Sequence, residues 1–211
     1  MKNREIKFRG LTKDGKWKYG FLGFNPIEGQ FYIHEVEDIP PTQADPCGSV
    51  YSERYDVEPE TIGQYTGLKD KNDNDIYEGD IVRIRTPYRS TQTHIGDNIP
   101  LGSYTEPLEP EIKEEIETVE FSNSCFNIGA YDEYCPKFLC YYVEKYDLQK
   151  AQELFCGGWN EYGSKFTWND IDDGDLQYLL ETYKLNSEVE LLQYLGLEVI
   201  GNIFENKDLL P

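Results

Sequence analysis

Segments in which apolar and polar residues alternate are the feature that most constrains this chain, because a repeat of two residues is the repeat of a half-buried β-strand. Residues 6–8 and 17–21 alternate in this way on either side of a Lys-Asp-Gly-Lys turn at 13–16. Residues 117–128 alternate around Ser122–Ser124. The pattern therefore predicts a β-hairpin at each place.

The stretch GLKDKNDNDIYEGDIVRI, residues 67–84, allows two interpretations. An EF-hand calcium loop requires oxygen ligands at positions 1, 3 and 5, a glycine at 6 and a bidentate Glu at 12. Asp70 and the two asparagines that follow it fit the first three positions, but position 6 is Asp75 and position 12 is Ile81, which has no oxygen ligand. We therefore expect a polar turn that leads through Gly79 into a strand, because Asp and Asn tolerate left-handed backbone angles.

Asp80 follows this glycine, and we expect its carboxylate to hold the turn by accepting backbone N–H groups. Catalysis is the weaker interpretation, because no histidine lies near Asp80 in the sequence. The apolar residues around the turn are the predicted core: Ile62, Tyr65, Ile76, Tyr77, Ile81, Val82 and Ile84. A late strand over 197–204 is expected to cover that core with Val199, Ile200, Ile203 and Phe204.

Proline and glycine predict irregular structure elsewhere. Over 38–60 we expect a surface loop, and over 87–116 an extended or mobile arm, with Pro87 closing the strand before it. Helical spacing of apolar residues occurs in three segments: 143–155, 170–185 and 187–195. Ser187 begins the last of these with a capping-box pattern.

Three segments resemble the YopX family of phage and prophage proteins: REIKFRG at 4–10, TIGQYTGLKDKNDNDIYEGDIVRI at 61–84 and LEVIGNIFEN at 197–206. Their order and the Tyr-Glu-Gly-Asp element at 77–80 match that family. The resemblance implies a mainly β core, similar to an SH3-like roll or small barrel, in which the end segments pair with the central block. It also implies a phage or prophage origin, and it implies no reaction, because the family brings no catalytic residues to carry over.

The expected architecture is α+β overall. A YopX-like β core takes in residues 1–86, 117–130 and 196–211. A Pro-rich acidic arm spans 87–116, and a helical insertion in the C-terminal half spans 131–195. The arm and the insertion lie largely outside the resemblance, so a function special to this chain is expected there.

Catalytic motifs are missing from the 211 residues: there is no GxSxG, Walker A, HExxH or GxGxxG pattern, and the histidines are His34 and His94. We therefore expect a protein that is not an enzyme and that binds no cofactor and no metal.

The five cysteines form no CxxC pair. Cys135 and Cys140, together with Cys125 or Cys156, are the one set with a spacing near that of a zinc site. Free buried thiols in a reducing compartment explain the cysteines better.

The formal net charge is -20, and it is unevenly distributed. Residues 1–24 carry an excess of basic side chains, whereas residues 104–130 hold one Lys against seven Glu, and 131–211 hold six Lys against sixteen acids. Such a chain repels phosphate backbones, so direct nucleic-acid binding is an unfavoured alternative. That alternative would use the basic N-terminal hairpin, with Trp17 and Tyr19 as stacking faces.

We expect instead a non-enzymatic phage accessory protein that binds a host protein. In the more specific form, its acidic surface imitates nucleic acid and blocks a host defence or DNA-binding factor. The predicted partner-binding residues are acidic side chains of the arm and of the insertion: Glu109, Glu111, Glu114, Glu115, Glu117, Asp170, Asp172, Asp173 and Asp175. For the four aspartates, the acidic start of a helix is a better explanation than a metal cluster.

The alternative from another class is a homo-oligomeric structural or assembly protein of a phage, joined through exposed strand edges. The chain has no run of 18 apolar residues and no apolar stretch at its start, so we expect it in the host cytoplasm, with no membrane partner.

Overall fold

The computed structural model describes residues 6–35, 53–88, 91–95, 103–129, 137–141, 143, 158–159, 165–166 and 173–211. These residues are mainly β, as the alternation predicts. The strands are β1 (Phe8–Leu11), β2 (Trp17–Asn25), β3 (Gln30–Glu35), β4 (Glu53–Asp56), β5 (Gly63–Lys69), β6 (Asp75–Tyr77), β7 (Asp80–Tyr88), β8 (Thr91–Ile95), β9 (Ser103–Pro107), β10 (Glu111–Ser122), β11 (Cys125–Ile128), β12 (Gly158–Trp159), β13 (Lys165–Phe166) and β14 (Gly196–Asn202). The helices are α1 (Asp173–Tyr183) and α2 (Glu188–Tyr194), and 3-10 turns lie at Pro59–Thr61, Leu139–Tyr141 and Lys207–Leu209.

A six-stranded sheet has the order β4-β3-β2-β1-β5-β6. The N-terminal hairpin is confirmed, because β1 pairs antiparallel with β2 from Phe8↔Gly20 to Leu11↔Trp17. β1 also pairs with β5, where Phe8 faces Gln64. The N-terminal segment is therefore joined to the central block.

A four-stranded sheet has the order β11-β10-β7-β14, and β8 pairs with β9 and β12 with β13 in separate two-stranded ribbons. The predicted hairpin of β10 and β11 is confirmed by the pairs Val119↔Ile128 and Phe121↔Phe126. Its turn residues, Asn123 and Ser124, have φ angles of 49° and 65°.

The polar turn after β5 is organised by one carboxylate. Asp70 is fully buried, and it accepts the backbone N–H groups of Asn72 and Asn74 at 2.8 and 2.9 Å and the Asn74 side-chain amide at 3.0 Å. Asp73 has a φ angle of 68°, in the left-handed region that Asp tolerates. Because both carboxylate oxygens of Asp70 accept N–H groups, the turn interpretation fits this geometry and the calcium loop does not.

Two of the three predicted helical segments have a described helix. α1 lies within 170–185, and α2 begins after Ser187, whose hydroxyl accepts the backbone N–H of Glu190. The Glu190 carboxylate in turn accepts the backbone N–H of Asn186 at 2.7 Å, one residue earlier than a standard capping box. The third predicted helix, 143–155, lies outside the described residues apart from Val143, which is not helical.

The chain divides into two compact units. The first unit comprises Met1–Val82, Glu117–Cys140 and Val199–Pro211, and the second comprises Arg83–Ile116 and Tyr141–Glu198. Buried side chains of the first unit include Ile33, Val57, Ile76, Ile81, Val82, Val119 and Ile128. In the second unit, Ile112 packs with the buried leucines of the helices and of the turn that follows them: Leu179, Leu191, Leu192 and Leu195.

Several local predictions are wrong. Strand β4 lies within the segment expected to be a loop, and β7 continues through Pro87 to Tyr88 instead of ending at the proline. The segment 87–116, expected to be an extended or mobile arm, contains β8, β9 and the first part of β10, so most of its described residues are extended strands. The prolines are compatible with this, because Pro107 stands at the end of β9 and Pro110 precedes β10.

The predicted core is confirmed except at Ile62, which is half-buried, and the late residues Val199, Ile200, Ile203 and Phe204 are also only half-buried. In the part of the chain that the structure describes, no helix is both long and apolar enough to span a bilayer.

Candidate functional site

The predicted partner-binding acids fall into different environments. Glu109 and Glu111 are exposed, and neither forms an ion pair within the described part of the chain. Asp173 and Asp175 lie in the first turn of α1, a position that favours acidic residues. Asp170 and Asp172 lie outside the described residues.

The other three glutamates are neutralised by the chain itself. The Glu114 carboxylate accepts Arg85 Nε at 2.6 Å, the Glu115 carboxylate lies 2.6 Å from Lys113 Nζ, and that of Glu117 lies 3.9 Å from Lys137 Nζ. A basic partner would have to compete with these lysines and arginines. The acidic surface expected along the arm is therefore weaker than the sequence alone indicates.

Arg83 and Arg85 both contact Glu114, and both also contact Glu198. The Glu198 carboxylate lies 3.0 Å from Arg83 and 3.4 Å from Arg85. Arg85 also stacks over the ring of Tyr194, 4.1 Å from its centroid. These contacts join β7, β10, α2 and β14 within the second unit and use charges that could otherwise face a partner.

A cleft of about 500 Å³ opens on the first unit between β1, β2 and the turns at either end of β6. We call it the tyrosine cleft, because Tyr19 and Tyr77 line it with their rings 5.6 Å apart. The strand register explains this closeness: Tyr19 stands opposite Arg9 on β1, and Tyr77 stands opposite Tyr65 on β5. Lys7 and Lys69 complete one wall, and both bind the carboxylate of Asp75.

Arg9 and Asp80 form a buried ion pair at the base of this cleft, with 6% and 1% of each residue exposed. Arg9 also donates to the carbonyl oxygen of Glu78 at 3.0 Å, and its guanidinium lies 5.2 Å from the centroid of the Tyr77 ring. The second Asp80 oxygen accepts the backbone N–H of Tyr77 at 2.7 Å. The prediction that Asp80 holds the turn is confirmed.

The electrostatics of the cleft follow from burial. Burial raises the pKa of the Asp80 carboxyl, although Arg9 acts in the opposite direction. Burial likewise raises the pKa of the Tyr77 hydroxyl far above its ordinary value, and to a smaller extent that of Tyr19. For Asp75, burial also raises the pKa, but hydrogen bonds from Lys69 and Lys7 outweigh it, so the pKa of Asp75 lies below its ordinary value.

Perturbed pKa values in a cleft are a reason to consider catalysis, but structural ion pairs produce them too. Both oxygens of Asp80 already have donors, one from Arg9 and one from Tyr77. A general base must also lie within reach of the proton that it removes, whereas only 1% of Asp80 is exposed. The cleft is therefore better explained as a structural joint between β1 and the turn after β6. Within the described ranges, no group of three or more His, Cys, Asp or Glu is placed to hold a metal ion.

The prediction that the cysteines are buried free thiols is corrected in part. Cys125 and Cys140 are free and exposed, so the expectation of buried thiols is wrong for these two. Cys47, Cys135 and Cys156 lie outside the described residues.

A second concavity, of about 410 Å³, lies on the first unit and was not anticipated. We call it the acidic groove. Its lining includes three acidic residues, Glu60, Glu78 and Glu120, here called the rim, and apolar residues, here called the floor, among them Ile62, Phe121 and Phe204. Among the described residues, no Lys or Arg lines this groove, and none of its three glutamates forms an ion pair.

Distant segments build the acidic groove, which explains why sequence reasoning missed it. Gly79 joins two of them, because its N–H donates to the carbonyl of Val119 at 2.8 Å and its own carbonyl accepts the N–H of Ile203 at 2.9 Å. Its φ angle of 82° suits glycine. A Cβ at this position would lie 3.3 Å from the ring of Phe204. Ile62 was expected in the core, and Ile203 and Phe204 on the strand that covers it; only the tertiary structure shows that all three are partly exposed.

Comparison with known proteins adds the family. A search of curated proteins finds no match. The family model described as YopX protein matches residues 7–148, about two thirds of the chain, including the Tyr-Glu-Gly-Asp turn, Arg9 and the β10–β11 hairpin. The chain therefore belongs to the YopX family.

Proposed function

We propose that this protein is a non-enzymatic accessory protein of a phage or prophage that acts by binding a basic protein in the host cytoplasm. The observation that supports the proposal is the acidic groove, which three acidic residues and several apolar residues line and to which the described part of the chain contributes no Lys or Arg. In its specific form, the partner is a host defence or DNA-binding factor, and the acidic surface competes with nucleic acid for it.

Electrostatics supports this choice of partner. The net charge of -20 attracts basic surfaces over roughly the Debye length, about 8–10 Å at physiological salt, and repels phosphate. Carboxylates that the chain has not already neutralised contribute most to such attraction. Among the described residues, Glu114, Glu115 and Glu117 form ion pairs within the chain. The glutamates that form no such pair include Glu60, Glu78, Glu109, Glu111 and Glu120.

The test is affinity capture with the tagged full-length chain from a nuclease-treated host lysate, followed by identification of the bound proteins. We expect a basic, nucleic-acid-binding protein to be retained at low salt and released as salt rises, because screening weakens charge complementarity. Adding the chain to the captured protein and its nucleic acid should then reduce complex formation in a mobility-shift assay. Capture of no basic protein, or capture insensitive to salt, would contradict the proposal.

The alternative is a homo-oligomeric assembly protein. Strands β4 and β6 stand at the edges of the six-stranded sheet, which is the feature that supports it. Against it, β4 has the sequence ERYD, and charged side chains on an edge strand oppose pairing with another copy. Light scattering of the purified chain separates the alternatives, since a stable higher oligomer without a host partner would favour assembly.

The finer architecture belongs to the same proposal. We propose that the β core of the first unit is an SH3-like roll and that the helical segments form an insertion in it. The pairing of β1 with β5 supports the first point, and the position of α1 and α2 between β11 and β14 in the chain supports the second. An experimental structure of the full chain tests both.

A further inference from the structure

The acidic groove has a floor that is fixed in place. The backbone of Gly79 is bonded on both sides, to Val119 and to Ile203. Phe204 packs against the Trp17 ring with centroids 5.9 Å apart, and this contact restrains the Phe204 side chain. An apolar side chain that enters the groove would therefore meet a surface that is already organised, and binding to such a surface costs little conformational entropy.

Phe121 is the exposed part of this surface. Its side chain stands on β10 next to Phe126, with ring centroids 5.0 Å apart, and 47% of Phe121 is exposed. Aromatic side chains in a partly formed pocket are the type of residue that contributes most to protein–protein binding energy. Because Phe121 lines the groove and is about half exposed, a partner side chain can contact its ring together with the other floor residues.

The charge around this apolar surface has one sign. Of the described residues, three glutamates and no lysine or arginine line the acidic groove, whereas three cations and three acids line the tyrosine cleft. An apolar floor inside an uncompensated acidic rim is complementary to an apolar side chain that has basic neighbours. Nucleic acid and free anions would be repelled by the same rim.

We infer that the acidic groove binds an extended segment of the partner protein in which one apolar or aromatic side chain is flanked by Lys or Arg. The apolar side chain occupies the floor beside Phe121, and the flanking cations contact Glu60, Glu78 and Glu120. The volume of about 410 Å³ falls in the range of sites that hold a compact ligand, roughly 300–1,000 Å³. This inference rests on the proposed function and specifies the site and the chemistry of its occupant.

The test begins with selection of binders to the immobilised full-length chain from a random-peptide display library. We expect the selected peptides to contain an aromatic or large aliphatic residue with Lys or Arg on both sides. The most enriched peptide, synthesised with a fluorescent label, then serves as the probe for affinity measurements on variants.

Two matched pairs of variants separate the groove from the rest of the surface. Phe121→Ala removes the ring at the groove, and Phe24→Ala removes a ring of similar exposure, 49%, that has an equivalent partner in Phe31. The double change Glu60→Gln with Glu120→Gln removes two rim charges, and Glu181→Gln with Asp208→Asn removes two exposed charges that do not line the groove. We expect each groove variant to weaken binding about tenfold or more and each control to change it less than about twofold.

A thermal melt of each variant checks that it remains folded, and amide chemical shifts of the labelled chain locate the probe even if Phe121→Ala is destabilised. Shifts centred on Ile62, Gly79 and Val119 support the inference. The inference is overturned if the selected peptides lack basic residues or if groove and control variants lose equal affinity for the probe. It is also overturned if the chemical-shift changes lie elsewhere on the chain. A dimer in solution that groove variants convert to a monomer would overturn it as well, since a second copy would then occupy the groove.

The outcomes also distinguish this inference from the proposed function. If a basic host protein is captured and its retention is unchanged by the groove variants, the site assignment fails and the proposed function stands. If peptides select as expected but no basic host protein is captured, the groove assignment stands and the proposed function fails.

Discussion

The carboxylate of Asp70 accepts a hydrogen bond from the backbone N–H of Val199 at 3.0 Å, across 129 positions of the chain. The same carboxylate closes its own turn through Asn72 and Asn74. One buried acid therefore fixes the central turn and attaches Val199 of the late strand to it, and both Asp70 and Val199 belong to the first unit.

The isosteric change Asp70→Asn tests this junction. It replaces one acceptor oxygen by an NH₂ group that faces N–H donors, so we expect the free energy of unfolding to fall by about 2–4 kcal/mol, the range for loss of charged hydrogen bonds with unsatisfied donors left behind. Urea denaturation at neutral pH measures the change. Asp208→Asn, an exposed change of the same chemistry, is the control and should stay within about 0.5 kcal/mol of the wild type. Equal stability of Asp70→Asn and the wild type would refute the assignment.

The buried pair of Arg9 and Asp80 is tested by a double-mutant cycle. Arg9→Met leaves a buried carboxylate without its cation, and Asp80→Asn leaves a buried guanidinium without its anion, so each single change should cost about 3–5 kcal/mol. The double variant removes both charges and retains an acceptor for the N–H of Tyr77. We therefore expect it to be more stable than the sum of the single effects predicts.

Denaturant unfolding measures the free energy of unfolding of each variant. If the effects of the two single changes add up to the effect of the double change, Arg9 and Asp80 do not stabilise each other. The family match includes both positions. The cycle therefore measures how much this ion pair contributes to stability at two positions within the matched region.

Tyr77 makes stability depend on alkaline pH. Its folded pKa is raised by burial above its unfolded value, so its contribution to stability is fully present below the unfolded pKa, near pH 10, and is lost as pH rises through the folded pKa. Tyr77→Phe removes this dependence. We expect the decline of unfolding free energy above pH 10 to be shallower in the variant, by at most about 1.4 kcal/mol per pH unit.

The reference for that comparison is the interval from about pH 7 to pH 8, where the tyrosine is protonated in both states and the stability difference between the two proteins should be constant. Urea denaturation at a series of pH values supplies both measurements. Parallel curves above pH 10 would mean that Tyr77 is ionised as readily in the folded chain as in the unfolded one.

Tyr183 provides a test in the second unit. Its hydroxyl accepts the backbone N–H of Ile112 at 2.7 Å and lies 3.3 Å from the carbonyl oxygen of the same residue. Tyr183→Phe should lower the free energy of unfolding by about 1–3 kcal/mol, the cost of an unsatisfied buried donor, and speed hydrogen exchange at the Ile112 amide. Tyr178→Phe on the same helix removes an exposed hydroxyl and is the matched control. Similar exchange in both variants would contradict the role of Tyr183.

Much of the local structure could be predicted because its causes are local. The alternation around residues 13–16 and 122–124 predicts hairpins that the structure confirms, since the two strands of a hairpin and their turn lie within one short segment. The β-branched residues after Gly79 are buried, and Ser187 caps its helix. These features follow from propensity, periodicity and turn chemistry.

The wrong predictions concern features that depend on a partner strand or on a partner charge from elsewhere in the chain. Pro87 was expected to end β7, but a strand continues wherever its remaining backbone groups find partners. The segment 87–116 was expected to be an extended or mobile arm because of its prolines, and the pairing of β8 with β9 over five residue pairs was not predicted. Composition does not contain information about such pairing.

The sequence by itself determined the family, the mainly β character, the main hairpins, the turn at Asp70 and the large negative charge, because each depends on residues that are close together or on a simple count. Tertiary structure decided which carboxylates remain available to a partner. Glu114 and Glu120 belong to the same strand, yet Arg85 neutralises Glu114, whereas Glu120 lines a groove to which the described residues contribute no Lys or Arg. The physical reason is that the electrostatic influence of a charge depends on which groups surround it in space, and in a sheet those neighbours come from distant parts of the chain.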